Sequence, residues 1–315
     1  MNPLSSLYGI TTAARNNLYD RGILKSHKLS RPVISIGNIS VGGSGKTPFV
    51  IMLGELLKQR GIAFDVLSRG YGRATQGAIF VDPNGTPCDF GDEPLLIARR
   101  LGCPVIVGES RYQAGKLAEA QPAGTSPQFH LLDDGFQHRS LARDFDIVLL
   151  TERDLRDQLL PTGRLREPLS SLHRADAIVL TEEIGPAQLP AVKNIWRARR
   201  TLAVPTAPQD AVAFCGIARP HKFIEQLRDI GIQPIAEKFY RDHHQYTSRD
   251  VQDLLRLRDQ HHAAAFITTE KDAINLGTYL GEISPMIARV EMELTDPAGV
   301  VDTILRVITE HRAKA

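Results

Sequence analysis

Pro32-Val33-Ile34-Ser35-Ile36-Gly37 is a short apolar run, and Asn38-Ile39-Ser40-Val41-Gly42-Gly43-Ser44-Gly45-Lys46-Thr47 carries it through a glycine loop into a helical pattern from Pro48 to about Arg60. Glycines let backbone N–H groups turn inward around phosphate oxygens with no side chain in the way, and the helix N-terminus adds its positive dipole end. Gly42, Gly43, Ser44, Gly45, Lys46 and Thr47 are therefore the candidate nucleotide-binding residues. Lys46 can reach the β- and γ-phosphates, and the Thr47 hydroxyl can bind Mg²⁺. The usual pattern is GxxxxGK[ST]; Ser40 stands at its first glycine, a departure that Gly42 and Gly43 offset further along the loop.

Working outward, the same strand-then-helix rhythm recurs. Ala63–Ser68 reads as a strand, residues 74–91 as a hairpin excursion rich in turn signals, and Glu93–Leu101 as a helix. Pro104–Val107 is a strand, Arg111–Ala120 a helix, and Phe129–Leu132, Ile147–Leu150 and Ala177–Leu180 are strands. Short apolar strands alternating with helices pair in parallel through right-handed crossovers. The expected fold is α/β, a P-loop NTPase-type doubly wound mostly parallel sheet. Around residues 190–210 the pattern loosens at Pro190, Pro205 and Pro208, which puts a boundary near Arg200. Beyond it, Ala211–Cys215, His221–Arg228, Gln233–Phe239, Ser248–Arg258 and Ala264–Thr268 alternate again, and a last helix spans about Pro297 to His311. The expected division is residues 1–30 as an amphipathic helix and basic segment, 31–200 as the P-loop domain, and 201–315 as a smaller α/β domain.

Composition removes other classes. At 315 residues and 42% hydrophobic, the chain can bury a real core and is too apolar for disorder. A net charge of +2 argues against a surface built to bind nucleic acid. Cys88, Cys103 and Cys215 lie too far apart to read as a disulfide framework or zinc site, which points to a reducing compartment. No apolar run is long enough to span a bilayer, and the N-terminus lacks the apolar core of a secretory signal.

The near-neutral average hides one imbalance. Residues 1–31 hold Arg15, Arg21, Lys25, Lys28 and Arg31 against Asp20 alone, a local +4 that leaves the rest of the chain at −2. Leu4, Leu7, Tyr8, Thr11, Ala14 and Leu18 fall on one face of the helix this segment predicts. Such a helix either docks on the protein's own core or lies in a membrane interface, drawn by anionic lipid.

A phosphate loop needs a second anchor for its metal. Leu131-Leu132-Asp133-Asp134, an apolar strand ending in acid, supplies it. The pattern does not fit a GTPase: Leu132 stands where DxxG needs its Asp, and Glu270-Lys271-Asp272 lacks a residue that NKxD requires. Val41 stands where a partition-type ATPase carries its signature lysine. These absences favour a kinase acting on a small molecule or lipid.

Several separate motifs then coincide: Gly37–Pro48, Leu67-Ser68-Arg69-Gly70-Tyr71-Gly72-Arg73, Gly91-Asp92-Glu93-Pro94, Leu132–Arg139, Leu165-Arg166-Glu167-Pro168, Asp242-His243-His244 and Thr268-Thr269-Glu270-Lys271-Asp272. In combination and order, across nearly the whole chain, they resemble the tetraacyldisaccharide 4′-kinase family. That resemblance implies phosphorylation of the 4′-hydroxyl of a tetraacylated glucosamine disaccharide 1-phosphate in lipid A biosynthesis, with ATP and Mg²⁺. It also implies a monomer at the cytoplasmic face of the bacterial inner membrane, two domains closing over the nucleotide, and no nucleic-acid partner. Asp92 is then the expected base, assisted by His243, with Lys46 and Arg166 neutralising phosphate charge. Thr47, Asp133, Asp134 and Glu167 form the expected metal set, and Arg69, Tyr71, Arg73, Glu93, Arg111, Gln137 and His138 the substrate set. The split of roles between Asp133 and Asp134, and the choice of arginine for the 1-phosphate, stay open. Lys271 and Asp272 either reach the nucleotide or stabilise a turn. The competing reading is a P-loop ATPase that acts as a membrane-surface switch and has no phosphate acceptor.

Overall fold

Strand β1 (Val33–Asn38) is buried along its whole length and lies between β5 (Phe129–Asp133) and β6 (Phe145–Leu150), parallel to both. A strand covered on both faces reads as a mostly apolar run, here Val33, Ile34 and Ile36 around Ser35. The computed structural model describes residues 3–122, 127–181, 189, 193–206 and 209–313. Pro190 and Pro208 lie outside them. From β5 the parallel sheet continues through β2 (Phe64–Ser68) to β4 (Val105–Val107), and from β6 to β7 (Ala177–Leu180). The phosphate loop therefore emerges at the carboxyl end of a central strand, where α/β sheets bind ligands.

Helix α1 (Pro3–Asp20) precedes this sheet, and α2 (Lys46–Gln59) follows the phosphate loop. The excursion at residues 74–91 is not a hairpin. It holds a two-residue strand, β3 (Ile79–Phe80), antiparallel to β4, and a four-residue helix, α3 (Pro87–Phe90), opened by Pro87 with the Thr86 hydroxyl accepting from the Asp89 N–H. Helix α4 (Asp92–Leu101), α5 (Arg111–Glu119) and the short α6 (Glu152–Arg156) complete the first half.

The loosened stretch around residue 200 contains strand β8 (Asn194–Ala203), which the sequence pattern did not suggest. Its first residues pair in parallel with β7, and its last pair antiparallel with β12 (Met286–Leu294), so Arg200 lies opposite Met292. Through β8 one twelve-stranded sheet runs across the described residues in the order β10-β9-β11-β12-β8-β7-β6-β1-β5-β2-β4-β3. The second half comprises β9 (Ala211–Cys215), α7 (Pro220–Asp229), β10 (Ala236–Phe239), α8 (Ser248–Gln260), β11 (Ala265–Thr269), α9 (Glu270–Leu276), α10 (Leu280–Ile283) and β12. The final helix, α11 (Pro297–Ala313), returns to the first half. Its Val300, Val301, Ile304 and Ile308 join the core built from α2, α4 and β6, and Arg312 bonds Asp144 at 2.9 Å. No helix among the described residues is long and apolar enough to cross a membrane.

Candidate phosphoryl-transfer site

The phosphate loop needs glycine at two points. Gly42 and Gly45 have φ of 101° and 90°, a region that side chains rarely adopt, and nothing within 4 Å would meet a Cβ on Gly43. Gly45 caps α2, so the free N–H groups of the first helical turn point out from the loop. Beneath it Asn38, the last residue of β1, donates to Ser44 Oγ at 2.8 Å and accepts from Lys46 Nζ at 3.2 Å. Lys46 also pairs with Asp134 at 3.5 Å. Arg166 holds Asp134 with two hydrogen bonds, 2.8 and 3.0 Å, and donates a further short one to Asn38 Oδ1. Asn38 ends β1 and Asp134 directly follows β5, while Lys46 opens α2 and Arg166 comes from the loop after α6.

The two Walker-type aspartates behave differently. Asp133 is 3% exposed; Ser68 Oγ donates to its Oδ2 at 3.1 Å, while Oδ1 is buried with no hydrogen-bond partner. Burial, then the charges of Glu93 and Asp134, push its carboxyl up to about 7. Burial acts the same way on Asp134, but Lys46 and Arg166 outweigh it and hold that carboxyl well below the usual range. A buried carboxylate oxygen without a donor, with the hydroxyl of the buried Thr47 on the first turn of α2, fits Mg²⁺. This ion takes one or two protein carboxylates and leaves the rest of its shell to phosphates and water. Accordingly, the described residues contain no cluster of three or more His, Cys, Asp or Glu that forms a metal cage by itself.

Across the crevice Asp92 opens α4 and is 6% exposed. Its Oδ1 accepts the Glu93 N–H at 2.8 Å, and its Oδ2 lies 2.8 Å from His243 Nδ1 of the second half. His243 has φ of 57°, and its N–H donates to the Gly216 carbonyl at 3.1 Å, which fixes the strained turn that aims the ring. Burial pushes Asp92 up, but the His243 hydrogen bond and the Lys271 charge reverse this and leave it below its ordinary value. The Asp92 bond in turn raises His243. The neighbouring His244 is tied to Asp250 at 3.1 Å instead.

The expected substrate residues fall into two groups. Arg111 is 6% exposed; one nitrogen donates to the Glu109 carbonyl at 3.0 Å, while Nε is buried without a partner. Arg69 is exposed and close enough for its charge to act on Arg111 and His138. Burial and then Arg111 push His138 down to about 4, so the ring is neutral at pH 7. Tyr71 is 69% exposed, with its ring 5.7 Å from that of His243. Glu93 pairs with Lys271. Arg73 differs from these, since it donates to Gly77 O at 2.5 Å and to Thr75 Oγ1 at 3.3 Å and so braces its own loop. Gln137 is likewise spent on Asn38 O and Glu167 Oε1, both at 3.0 Å.

Glu167, expected in the metal set, is occupied by protein donors in this structure. It is 2% exposed, and its oxygens already accept from Arg174 at 2.6 Å, Asn16 at 2.7 Å and Gln137 at 3.0 Å. Those donors commit the carboxylate to a joint that ties α1 to the catalytic loops. Around that joint Ser5 donates to Leu159 O, Tyr8 to Arg166 O, and Arg15 to Gln137 O at 2.8–3.1 Å. The polar face of α1 thus points inward. Leu4, Leu7 and Ile10 are 60%, 59% and 66% exposed, with Leu18, Ile23 and Leu24 also outside. Only Tyr8 of the predicted apolar face turns toward the protein.

Sequence reasoning missed Asn38 and Ser68 as site residues. Both are polar residues at the carboxyl ends of buried parallel strands, a signal that points to the ligand crevice.

A phosphate-cradling loop, a corner of hard oxygen donors and a carboxylate–histidine pair facing it define a P-loop phosphotransferase. Comparison with known proteins gives the particular kind. A family model described as tetraacyldisaccharide-1-P 4′-kinase matches residues 1–309, and the chain belongs to that family. A tetraacyldisaccharide 4′-kinase of Koribacter versatilis is 47% identical over 324 residues, covering 99% of this chain and 100% of that one. One from Aquifex aeolicus is 39% identical over 295 residues, 88% of this chain and 89% of its own. A crystal structure of LpxK from Aquifex aeolicus in complex with ATP aligns with a TM-score of 0.80 at 36% identity, covering 97% of this chain and 98% of that chain.

Proposed function

We infer that this chain is an ATP-dependent, Mg²⁺-requiring kinase that phosphorylates the 4′-hydroxyl of a tetraacylated glucosamine disaccharide 1-phosphate, a step of lipid A biosynthesis. The observation that carries the reading is the Asp92–His243 hydrogen bond, in which the carboxylate is buried and the ring half-buried, and which supplies a proton acceptor opposite the phosphate loop. A nucleotide-hydrolysing switch needs no such acceptor for a sugar hydroxyl.

In this reading Gly42 to Thr47 wrap the nucleotide phosphates, and Lys46 and Arg166 take the charge that develops on the transferring group. Thr47, Asp133 and Asp134 would hold the Mg²⁺, which would supply further neutralisation of phosphate charge. Asp92 accepts the hydroxyl proton as the sugar oxygen bonds to phosphorus and the bond to ADP breaks. His243 orients Asp92 and shares the positive charge of that proton. The buried guanidinium of Arg111, with Arg69 and neutral His138 beside it, suits the 1-phosphate, because a planar fork can donate two parallel hydrogen bonds. The outward apolar face of α1 supports a chain lying on the cytoplasmic face of the inner membrane, with Leu4, Leu7 and Ile10 in the lipid interface. The expected halves, 31–200 and 201–315, close on the nucleotide across β8, with α11 remaining packed on the first half.

The test is γ-labelled ATP with Mg²⁺, with and without the acylated disaccharide. Label is expected in the lipid only when the disaccharide is present. Label released to water at one rate in both reactions would overturn the kinase reading in favour of a switch ATPase.

A further inference from the structure

Thr269-Glu270-Lys271-Asp272 lies beside the Asp92–His243 pair without belonging to it. It opens α9, and the Thr269 hydroxyl accepts from the Asp272 N–H at 3.2 Å. From this turn the helix reaches in two directions. Toward the first half, three of its side chains meet α4: Glu270 pairs with Arg100 at 2.8 Å, Lys271 with Glu93, and Asn275 Nδ2 lies 3.5 Å from Asp92 Oδ2. Toward the second half, the fully buried Asp272 accepts from Gly216 N–H at 2.7 Å, Tyr246 O–H at 2.8 Å and Thr269 O–H at 2.6 Å. Gly216 is the residue whose carbonyl holds the His243 N–H. One short helix therefore braces both members of the Asp92–His243 pair, from opposite sides.

We propose that Lys271 is a positioning residue for the reaction, supplying the fixed positive charge beside the Asp92–His243 pair, while Asp272 anchors the turn that carries His243. The inference rests on Asp92 being the proton acceptor. The charged groups around Asp92 are Glu93 on its own helix, Lys271 and the more distant Asp272 on α9, and His243 with Asp242 on the second-half loop. Among them Lys271 is the permanent cation. Its charge favours the ionised form of Asp92 and opposes protonation of His243, so both groups respond in one direction when it is removed.

Two measurements on the full chain decide the matter. In Lys271→Met the acid limb of the kcat profile is expected to move to higher pH by about one unit, with activity recovering at alkaline pH, whereas Lys271→Arg keeps the wild-type limb. Glu93→Gln keeps the Lys271 charge but removes its ion-pair partner and a negative charge beside Asp92, so its limb is expected to move to lower pH. It also serves if Lys271→Met proves unstable. A limb that stays put in Lys271→Met while kcat falls equally at every pH makes Lys271 a structural latch and overturns the proposal. Ring-nitrogen NMR of His243 reads the same charge without any acceptor: its titration midpoint is expected to rise in Lys271→Met, and an unmoved midpoint overturns the proposal. Wild-type protein that transfers no phosphate to the disaccharide defeats the functional reading instead, and the NMR result still stands alone.

Discussion

The outward face of α1 gives a quantitative test of membrane attachment. Truncating the N-terminus would be a poor test, because Asn16, Tyr8 and Arg15 on the inward face bond Glu167, Arg166 and Gln137, and their loss would disturb the site itself. The triple change Leu4→Ser, Leu7→Ser and Ile10→Ser leaves that face untouched. Their residues are 60%, 59% and 66% exposed, so well over half of each remains to be buried by something else. Full burial of a Leu or Ile side chain is worth about 2 kcal/mol, so three such fractions come to about 3.5 kcal/mol, a few-hundred-fold in partitioning. Flotation with phosphatidylglycerol–phosphatidylethanolamine vesicles would read this. The variant should stay with the soluble fraction under conditions where the wild type floats, and raised salt should weaken only the part owed to Arg21, Lys25 and Lys28. Its melting temperature should stay within a few degrees of wild type, since these side chains are mostly in solvent. A triple variant that floats as the wild type does would refute attachment through this face.

Three further outcomes follow from the site. Asp92→Asn is expected to lower kcat by roughly 10²- to 10⁴-fold with little change in the KM for ATP, measured by label transfer to the lipid. Glu167→Ala leaves Arg174 buried and unpaired; it is expected to lose about 3–5 kcal/mol in urea unfolding, whereas a metal ligand would chiefly move the Mg²⁺ dependence of the rate. His138 is held down to about 4 from an ordinary 6.5, so between those values the unfolded chain binds the extra proton and stability is lost as pH falls. The melting temperature should drop through that window, and His138→Asn should flatten the drop.

Much of the first half was legible in the sequence because its strands are covered on both faces and its loops are glycine-marked. The run from Val33 to Thr47 and the strand ending at Asp133 need no partner to be read. β8 and β12 were not legible for the opposite reason. Arg197, Arg199 and Arg200 interrupt one strand, and Glu291 and Glu293 the other. The register places Arg199 opposite Glu293 and Thr201 opposite Glu291, so part of the charge on one strand is answered by the other. That complementarity exists only once the strands are paired, and either sequence alone reads as polar linker. The role of Glu167 was hidden similarly: its partners Arg174 and Asn16 stand 7 and 151 residues away.

The same long-range bonds connect attachment to catalysis. Helical periodicity identified an apolar face on α1 but not which way it points. The direction comes from the polar face, whose partners are carbonyls and a carboxylate at Leu159, Arg166, Gln137 and Glu167. Residue 166 accepts α1 through its carbonyl and grips Asp134 through its guanidinium. Gln137 accepts Arg15 through its carbonyl and donates its amide to Asn38, the residue under Lys46. The helix proposed to lie on lipid through its outer face is thus bonded through its inner face to the residues that set the phosphate-side cations. For an enzyme whose acceptor is itself a lipid, the proposed attachment would make the membrane plane a reference for the site: the surface that delivers the acceptor would also fix the helix to which Arg166 and Gln137 are bonded.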